Sequence, residues 1–377
     1  MRGMVVHVHP YWLHLSNRCA RIFDGLTPSA TRLRLCLLAI ILADVGSLHA
    51  QSQPVQRLAT PRDVIVTIDN FRRAETDRIL GDLVGRNGLG RFVHQREFPA
   101  IDLPTVYPTR DTLLSMAVFD LDAGPVTITL PNADARFIAM YVVDEDQYIS
   151  AVYYSAGSYA LAKEQIGTRY VYVGARVLVD PSDVRDVKAA YALQDAIQVE
   201  QKGGPGTFQA PRFDPVSRIK VRDALFALGS TLTSTQRMFG ARDEVDPVRH
   251  LIGTAIAFGG APDKEVLALK VTPRKNNGMD IYKLIVNNAP VNGFWSVSVY
   301  NDEGYFVKNL LDAYTVNNIT AKKGSDGSVA VQFGGCDGEV ANCLPTPSGW
   351  KYVVRLYRPR PEILDGTWIF PEAQPLP

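Results

Sequence analysis

Two histidines are the first candidates for acid–base chemistry in this chain. Its 377 residues include six histidines, but only His94 and His250 lie beyond residue 50. His94 follows a Gly-rich turn and precedes a Gln-Arg-Glu segment. It is a candidate general acid or base because imidazole titrates near neutral pH. A packing histidine held by hydrogen bonds is the simpler interpretation, and we favour it.

Carboxylates supply the other catalytic candidates. Glu75 and Asp77 are two residues apart in a predicted helix, so they point in different directions and form no obvious carboxylate pair. Asp111 enters a predicted strand from a Pro-containing loop, flanked by Arg110 and Thr112. Polar residues at such an entrance can line a ligand pocket. An internal salt bridge and a cap that fix the loop are the structural alternative, which we favour.

No catalytic motif joins these candidates. A Gly-x-Ser-x-Gly nucleophile elbow is missing beyond residue 50. The catalytic candidates are Asp111, His94 and Glu75. They indicate no particular reaction, so the sequence leaves open whether the protein is an enzyme.

Aromatic residues and one arginine lie on predicted strands near the C-terminus. Aromatic residues that alternate with smaller ones usually pack in a core, although their polar tips suit a pocket mouth. Arg355 lies in the middle of a strand and needs a partner, which Glu362 or Asp365 could supply. A clamp on a carboxylate or phosphate ligand is the alternative. The predicted ligand-binding residues are Arg110, Asp111, Thr112, Trp295, Tyr300, Arg355 and Tyr357.

Two cysteines remain beyond residue 50, Cys336 and Cys343. An isolated pair in an oxidising compartment is most simply a disulfide, and the preceding Gly334 and Gly335 allow the tight path that this needs. No second cysteine pair and no histidine lies nearby, which argues against a metal site. We therefore predict a disulfide, no metal and no cofactor.

The first 50 residues resemble a secretory signal. Arg32 and Arg34 precede a short apolar run at 35–42, and small, weakly polar residues follow up to Ala50. A buried helix of an N-terminal domain is the alternative. No later stretch reaches the roughly 20 apolar residues of a membrane span. We therefore predict cleavage near Ala50, no transmembrane anchor, and a periplasmic or secreted protein.

Charge and length restrict the partners and the domain count. Forty basic residues face thirty-nine acidic ones, a formal net charge of +1, so no overall field attracts nucleic acid. The predicted partner is a small molecule or a polysaccharide. At about 100–200 residues per domain, the length indicates two or three domains.

The pattern along the chain is β, then helical, then β. Helical spacing predicts helices at 63–84, from Ser182 or Asp183 to 199, at 217–229 and at 230–239, while 248–257 suits a helix or a strand. Strands are predicted at 113–121, 126–130, 136–143, 149–154 and 169–179, the first two as a hairpin or meander. Further strands are predicted at 266–271, 281–286, 293–300, 328–333 and 351–357.

Several motifs resemble a known pair of domains. The N-terminal ones are Asn-Phe-Arg-Arg-Ala-Glu-Thr-Asp at 70–77, Phe-Val-His-Gln-Arg at 92–96 and Tyr-Pro-Thr-Arg-Asp-Thr-Leu-Leu-Ser at 107–115. The C-terminal ones are Gly-Phe-Trp-Ser-Val-Ser-Val-Tyr-Asn at 293–301, Asp-Gly-Ser at 326–328, Asn-Cys-Leu-Pro at 342–345, Arg-Leu-Tyr-Arg-Pro at 355–359 and Ile-Leu-Asp-Gly-Thr-Trp at 363–368. Together they resemble the paired domains of unknown function 1254 and 1214 over about residues 60–375. One departure is Thr109-Arg-Asp-Thr-Leu-Leu-Ser115, where the family usually has Asn-x-Asp-Thr-Leu-Tyr-Ser, so a ligand contact of that Asn or Tyr would be altered here.

The resemblance implies a mainly β fold with a helical insert, and no reaction. We expect a signal segment at 1–50, a helix and an Ig-like sandwich at 51–180, a helical subdomain at 181–260 and a jelly-roll-like sandwich at 261–377. Domain interfaces favour pockets, so we predict that a small molecule, glycan or envelope polymer binds between the two sandwiches, with hydrolase activity as an extension. A structural or interaction protein of the cell envelope, without catalysis, is the alternative.

Overall fold

The computed structural model describes residues 63–98, 101, 107–232 and 234–377, which belong to a unit spanning Asp63–Pro377. The predicted signal sequence, with its cleavage point, lies outside the described residues. The helices are α1 (Phe71–Gly85), α2 (Lys163–Ile166), α3 (Val184–Asp195), α4 (Pro215–Gly229), α5 (Pro247–Ile256) and α6 (Pro361–Leu364). The N-terminal strands are β1 (Val93–His94), β2 (Thr112–Asp120), β3 (Val126–Leu130), β4 (Ile138–Asp144), β5 (Ile149–Tyr153), β6 (Gly157–Leu161), β7 (Tyr170–Leu178) and β8 (Gln198–Glu200). The C-terminal strands are β9 (Val266–Val271), β10 (Tyr282–Val286), β11 (Trp295–Tyr300), β12 (Thr315–Asn317), β13 (Val329–Phe333), β14 (Cys343–Leu344), β15 (Lys351–Tyr357) and β16 (Gln374–Pro375).

Two antiparallel sheets form the N-terminal sandwich. One has the strand order β1-β2-β7-β4-β5 and the other β6-β3-β8. Along β3, Val126, Ile128 and Leu130 are buried at every second position, and they share one core with Leu113 and Phe119 of β2. This alternation is what a strand with one face on a core requires.

The predicted pairing of the first two long strands is wrong. β2 pairs with β1 and β7, whereas β3 pairs with β6 and β8. A short 3-10 turn at Leu121–Ala123 separates them, and Asp120 caps it by accepting from Asp122 N. The turn carries the chain from one sheet to the other, so the Gly-Pro punctuation marks a crossover between layers and not a hairpin.

Two predicted helices differ in length from the observed ones. α1 starts at Phe71 and not at residue 63, because Asn70 fixes a non-helical entry: its side chain accepts from Thr67 N at 2.8 Å and donates to Ile65 O at 3.0 Å. α3 starts after Asp183, as predicted, but ends at Asp195 because 198–200 pairs with β3 as β8.

Two further segments, 230–239 and 248–257, test the helix predictions in the middle of the chain. The segment 230–239, predicted as a helix, has no helical residue in its described part and consists of turns and bends. The segment 248–257, which suited a helix or a strand, is helical as far as Ile256. Asp246 caps this helix, α5, by accepting from Val248 N and Arg249 N, both at 3.0 Å. Helices α1, α4 and α5 pack around a separate apolar cluster that includes Phe71, Leu225 and Ile252.

The C-terminal part is a second sandwich of two four-stranded sheets. Their strand orders are β14-β13-β10-β16 and β12-β11-β15-β9. Trp350, Leu284 and Val331 are fully buried between them. The predicted mainly β fold with a helical insert is confirmed, whereas the predicted domain boundaries stay predictions.

The predicted disulfide is confirmed. Cys336 and Cys343 are bonded, with a Cα–Cα distance of 5.7 Å. Gly334 and Gly335 have φ angles of +77° and +59°, which most side chains disfavour. In the described part of the chain, no helix has both the length and the apolar character that a membrane crossing needs.

Candidate functional site

The predicted ligand-binding carboxylate, Asp111, lies in a closed hydrogen-bond network between the two sandwiches. It is fully buried and immediately precedes β2. Its Oδ2 accepts from Ser296 Oγ at 2.7 Å and from Thr109 Oγ1 at 2.9 Å, and its Oδ1 accepts from Thr315 Oγ1 at 3.2 Å. Each carboxylate oxygen therefore has a partner inside the protein, as a buried charge requires.

Arg355 belongs to the same network. It donates to Tyr300 OH at 3.0 Å, to Ser298 Oγ at 3.4 Å and to Tyr107 O at 2.8 Å. Burial opposes its charge, but the proximity of Tyr300, Tyr357 and Asp111 raises the pKa of Arg355 overall.

The expected partners of Arg355 are wrong. Glu362 pairs with Arg360 at 3.6 Å, and Asp365 accepts from Thr367. Both lie after the strand that carries Arg355, whereas its actual partners come from the neighbouring strand β11 and from the loop before β2.

Most of the other predicted ligand-binding side chains are buried or packed against other side chains of the protein. Tyr357 stacks on Phe294, with ring centroids 4.0 Å apart, and Thr112 is buried. Arg110 lies over the ring of Tyr314 at 5.1 Å. The fold thus brings together Arg110, Asp111, Thr112, Tyr300, Arg355 and Tyr357. Trp295 points the other way, into the core of the C-terminal sandwich.

The network includes two serines that sequence reasoning missed. Ser296 and Ser298 are fully buried and lie on the same face of β11 as Tyr300. Residues two apart share one face of a strand, so the alternation of Ser with Val at 296–299 was an available signal.

His94 and Glu75 occupy structural positions. His94 Nδ1 lies 2.8 Å from the fully buried Ser115 Oγ, and Gln194 Nε2 donates to the same hydroxyl at 3.1 Å. Burial and then Arg96 lower the pKa of His94. Glu75 is buried and paired with Arg78 at 2.7 Å and with Arg218. A catalytic role for either stays an untested prediction.

A cavity of about 350 Å³, open to the surface and lined by charged as well as apolar groups, lies elsewhere, beside α1. Arg73 and Asp77 of α1 form one wall, and Glu145, which follows β4, forms another. The segment from α2 to β7 contributes residues such as Lys163 and Arg169, and Gln209 and Pro211 of the loop before α4 complete the lining. None of the predicted ligand-binding residues lines this cavity.

Asp77 is the unusual group of this cavity. Its side chain is 5% exposed, and among the described residues nothing donates a hydrogen bond to its Oδ1. Burial, followed by the charge of Glu145, raises the pKa of Asp77 to about 7, although Arg73 opposes the rise. A carboxyl group half protonated at neutral pH can give or accept a proton.

Glu145 and Asp146 are held rigidly next to Asp77. Glu145 accepts from Tyr170 N at 2.9 Å and pairs with Arg73 at 3.3 Å. Asp146 pairs with the same guanidinium at 3.2 Å. Arg73 therefore has two carboxylates of its own and is not available to neutralise Asp77 completely.

The remaining cations of the cavity are paired as well. Arg169 forms two hydrogen bonds of 2.9 Å with Asp120, and these bonds lower the pKa of that carboxyl group. Lys163 pairs with Asp122. Each of these cations is thus neutralised by a neighbouring carboxylate. In the described part of the chain, no cluster of three or more His, Cys, Asp or Glu side chains is arranged to hold a metal ion.

Comparison with known proteins gives a family and a fold. Residues 89–201 match the family model described as protein of unknown function (DUF1254), and residues 272–361 match protein of unknown function (DUF1214). The chain is a member of the paired DUF1254/DUF1214 family. No curated protein matches it.

One solved structure shares the fold of this chain. The crystal structure of the VPA0106 protein from Vibrio parahaemolyticus has a TM-score of 0.65 at 19% sequence identity, covering 82% of this chain and 98% of that one. An uncharacterized protein from Burkholderia cenocepacia has a TM-score of 0.47 at 10% identity, covering 82% and 88%. At 19% identity, the Vibrio structure shows the shared fold and nothing about activity.

The Asp111–Arg355 network and the cavity beside α1 involve different parts of the chain. Asp111 lies in the DUF1254 region and Arg355 in the DUF1214 region, so their network joins the two. The cavity combines Glu145 and Arg169 of the DUF1254 region with Asp77, which precedes it in the chain. The pairing of α1 with the acidic 144–146 segment is the feature that sequence reasoning missed.

Proposed function

We propose that the protein binds a small, neutral, hydroxyl-bearing molecule in the cavity beside α1. The observation that carries this is Asp77, a buried carboxyl group in the cavity wall whose Oδ1 has no hydrogen-bond donor among the described residues. Leaving such a group unsatisfied costs about 1–3 kcal/mol. Since Oδ1 itself is closed off from solvent, a ligand hydroxyl would hydrogen-bond the carboxyl group through Oδ2, which also has no partner among the described residues.

The paired charges of the wall favour an uncharged ligand. Arg73, Lys163 and Arg169 each have a carboxylate partner, so an anion would have to displace one. A hydroxyl group can instead add hydrogen bonds to the free lone pairs of those carboxylates. The volume of about 350 Å³ lies at the lower end of the range for small-molecule sites, which suits a sugar or a similar polyol.

Acid–base catalysis is an extension of this proposal. Asp77 has a pKa raised to about 7 by burial and by Glu145, and groups with a pKa near the working pH are efficient proton donors and acceptors. Hydrolysis of a sugar derivative is the reaction class that fits this chemistry. The disulfide suits an oxidising compartment, which supports the proposed periplasmic or secreted location.

The test is a thermal-shift screen of the protein with monosaccharides, oligosaccharides and polyols. We expect a stabilising ligand whose effect is lost in Asp77→Asn, because the amide keeps only one of the two acceptor oxygens of the carboxylate and puts an NH2 donor in place of the other. Asp223→Asn is the matched control, since Asp223 is exposed on α4 and does not line the cavity. A ligand that stabilises Asp77→Asn as well as the parent protein would contradict the site.

A structural role in the cell envelope is the second candidate. It is favoured by the closed network of Asp111 and Arg355, which occupies the very residues predicted to bind a ligand. If the whole screen produced no thermal shift, this second candidate would replace the first.

A further inference from the structure

The outer face of β7 carries a tyrosine, a glycine and an arginine at every second position. The alternate residues from Val171 to Val177 belong to the core of the N-terminal sandwich, so Tyr172, Gly174 and Arg176 face away from that core. The side chains of Tyr172 and Arg176 are partly exposed. This face of the sheet therefore presents a phenol hydroxyl and a guanidinium group to the surface.

Gly174 sets the direction of the Tyr172 side chain. A Cβ atom at Gly174 would lie 2.9 Å from both the hydroxyl oxygen and Cε1 of Tyr172. The ring therefore lies across the space that the glycine leaves free, and its hydroxyl points along the strand towards Arg176, the next residue on the same face. Phe258 supports the ring edge-on, with ring centroids 5.0 Å apart.

Arg176 differs from the other arginines of this sandwich in its lack of an acidic partner. Arg73, Arg136 and Arg169 each pair with a carboxylate, but among the described residues no carboxylate oxygen lies within 4.0 Å of the Arg176 guanidinium. A partly buried cation without such a partner is a place where an anion can bind.

The charges that act on Tyr172 are positive. Burial raises the pKa of Tyr172 to about 12, while Arg176 and then Arg86, the exposed C-cap of α1, oppose the rise. Arg86 donates through Nε to Asp82 O at 3.4 Å and, within the described part of the chain, forms no ion pair. At neutral pH the Tyr172 hydroxyl is therefore protonated and can donate a hydrogen bond beside two cations.

A carboxylate also acts near this face, but it has a partner of its own. Tyr141 of β4 lies opposite Gly174, and burial, with a contribution from Glu265, raises its pKa, whereas Arg176 opposes the rise. The Glu265 carboxylate accepts a hydrogen bond from Tyr154 OH. It therefore does not serve as the ion-pair partner of Arg176.

Apolar side chains flank the arginine. On β2, Leu114 lies opposite Arg176 and Met116 lies opposite Gly174, and both are partly exposed. On β4, the small Ala139 lies opposite Arg176. An apolar group could therefore rest beside the guanidinium without displacing a charged side chain.

We propose that the outer face of β7 binds the carboxylate of a small apolar organic acid, with Arg176 as its ion-pair partner and Tyr172 as a hydrogen-bond donor. A guanidinium group forms two parallel hydrogen bonds with a carboxylate. Leu114 and Met116 contact the apolar body of the acid, which a free phosphate ion lacks. None of these residues lines the cavity beside α1, so the site is independent of the proposed function.

The experiment is isothermal titration calorimetry of the whole protein with hexanoate and phenylacetate, and with hexanamide and inorganic phosphate for comparison. We expect at least one of the two acids to bind with a dissociation constant of about 1 mM or lower, and hexanamide and phosphate to bind at least about tenfold more weakly. Arg176→Gln should weaken binding of the acid at least about tenfold. Arg185→Gln is the matched control, because Arg185 is 92% exposed on α3, and it should bind as the parent does.

Three results would overturn the proposal: neither acid binds to the parent, phosphate binds as tightly as the acids, or Arg176→Gln binds as the parent does. Each of them would be decisive without any result from the carbohydrate screen.

Two milder variants cover the case in which Arg176→Gln does not fold. Tyr172→Phe removes only the hydroxyl, and Gly174→Ala puts a methyl group where that hydroxyl lies, so each should weaken binding of the acid about threefold or more. Tyr153→Phe is the control, because the Tyr153 ring packs on the core side of the same sheet. Undiminished binding in both Tyr172→Phe and Gly174→Ala would exclude the hydroxyl from the site and overturn the proposal.

Discussion

Asp77 is expected to reduce the stability of the protein at alkaline pH. Its pKa is about 7 in the folded protein against 3.8 in the unfolded chain, so the folded state holds a proton that the unfolded state has lost. Stability should therefore fall as the pH rises from about 4 through 7. Asp77→Asn removes the buried charge and should increase the free energy of unfolding at about pH 8.5 by on the order of 3 kcal/mol, with a smaller gain towards pH 4.

Urea unfolding at several pH values checks this. Asp82→Asn on the same helix is the control, because Asp82 is 65% exposed and should change stability by less than about 0.5 kcal/mol. A gain for Asp77→Asn that did not depend on pH would argue against a buried, titrating carboxyl group. Increased stability combined with lost ligand binding is the pattern expected of a functional residue.

The role of single residues was only partly predictable from the sequence. The disulfide followed from composition and from two glycines. The sequence did not suggest a role for Asp77, because Glu75, two residues away, points in another direction. The carboxylate that raises the pKa of Asp77 is Glu145, which comes from a different element. Such a pair exists only once α1 has packed against the end of β4, so local spacing could not reveal it.

At the scale of elements, helix starts follow a local code. Asp214 and Asp246 each cap a helix and are each followed by a proline at the first helical position. The Asp side chain accepts hydrogen bonds from N–H groups of the first turn, and the proline ring fixes φ at the first helical position. It would have placed the start of α4 two residues earlier and identified 248–257 as helical. The end of α3 could not be found in this way, because it depends on the pairing of β8 with β3 across the sandwich.

Asp214→Ala is therefore expected to weaken α4. It removes the hydrogen bond that Asp214 Oδ2 accepts from Ser217 N at 2.8 Å, and the melting temperature should fall by about 2 °C. Asp214→Asn, which keeps an acceptor, should retain most of the stability. Differential scanning calorimetry compares the two variants, and an equal loss in both would show that the cap is not responsible.

At the scale of the whole molecule, the sequence predicted the order of β, helical and β regions. It did not predict the contacts between elements that are far apart in the chain. α1 precedes the first sandwich, yet it packs with α4 and α5, which follow it. β16, at the end of the chain, pairs with β10 of the second sandwich. Both contacts join distant parts of the chain through burial of apolar surface, and no periodicity within a short window encodes them.

The Asp111–Arg355 network is expected to couple the two sandwiches energetically. Ser298 and Thr315, whose hydroxyl oxygens lie 3.0 Å apart, complete a chain of hydrogen bonds between the two charges. Arg355→Met leaves Asp111 buried without its compensating cation and should cost about 3–5 kcal/mol. Adding Asp111→Asn to this variant should recover about 1–3 kcal/mol, because the stranded charge is then removed.

A double-mutant cycle measured by urea unfolding decides whether the network acts as a unit. Arg360→Met is the matched control, since Arg360 and Glu362 form an exposed pair that should contribute less than about 1 kcal/mol. Strictly additive effects of Asp111→Asn and Arg355→Met would mean that the two charges act independently. Coupling would show that these polar residues serve the joint between the two DUF regions, and the search for a ligand would then concentrate on the cavity beside α1.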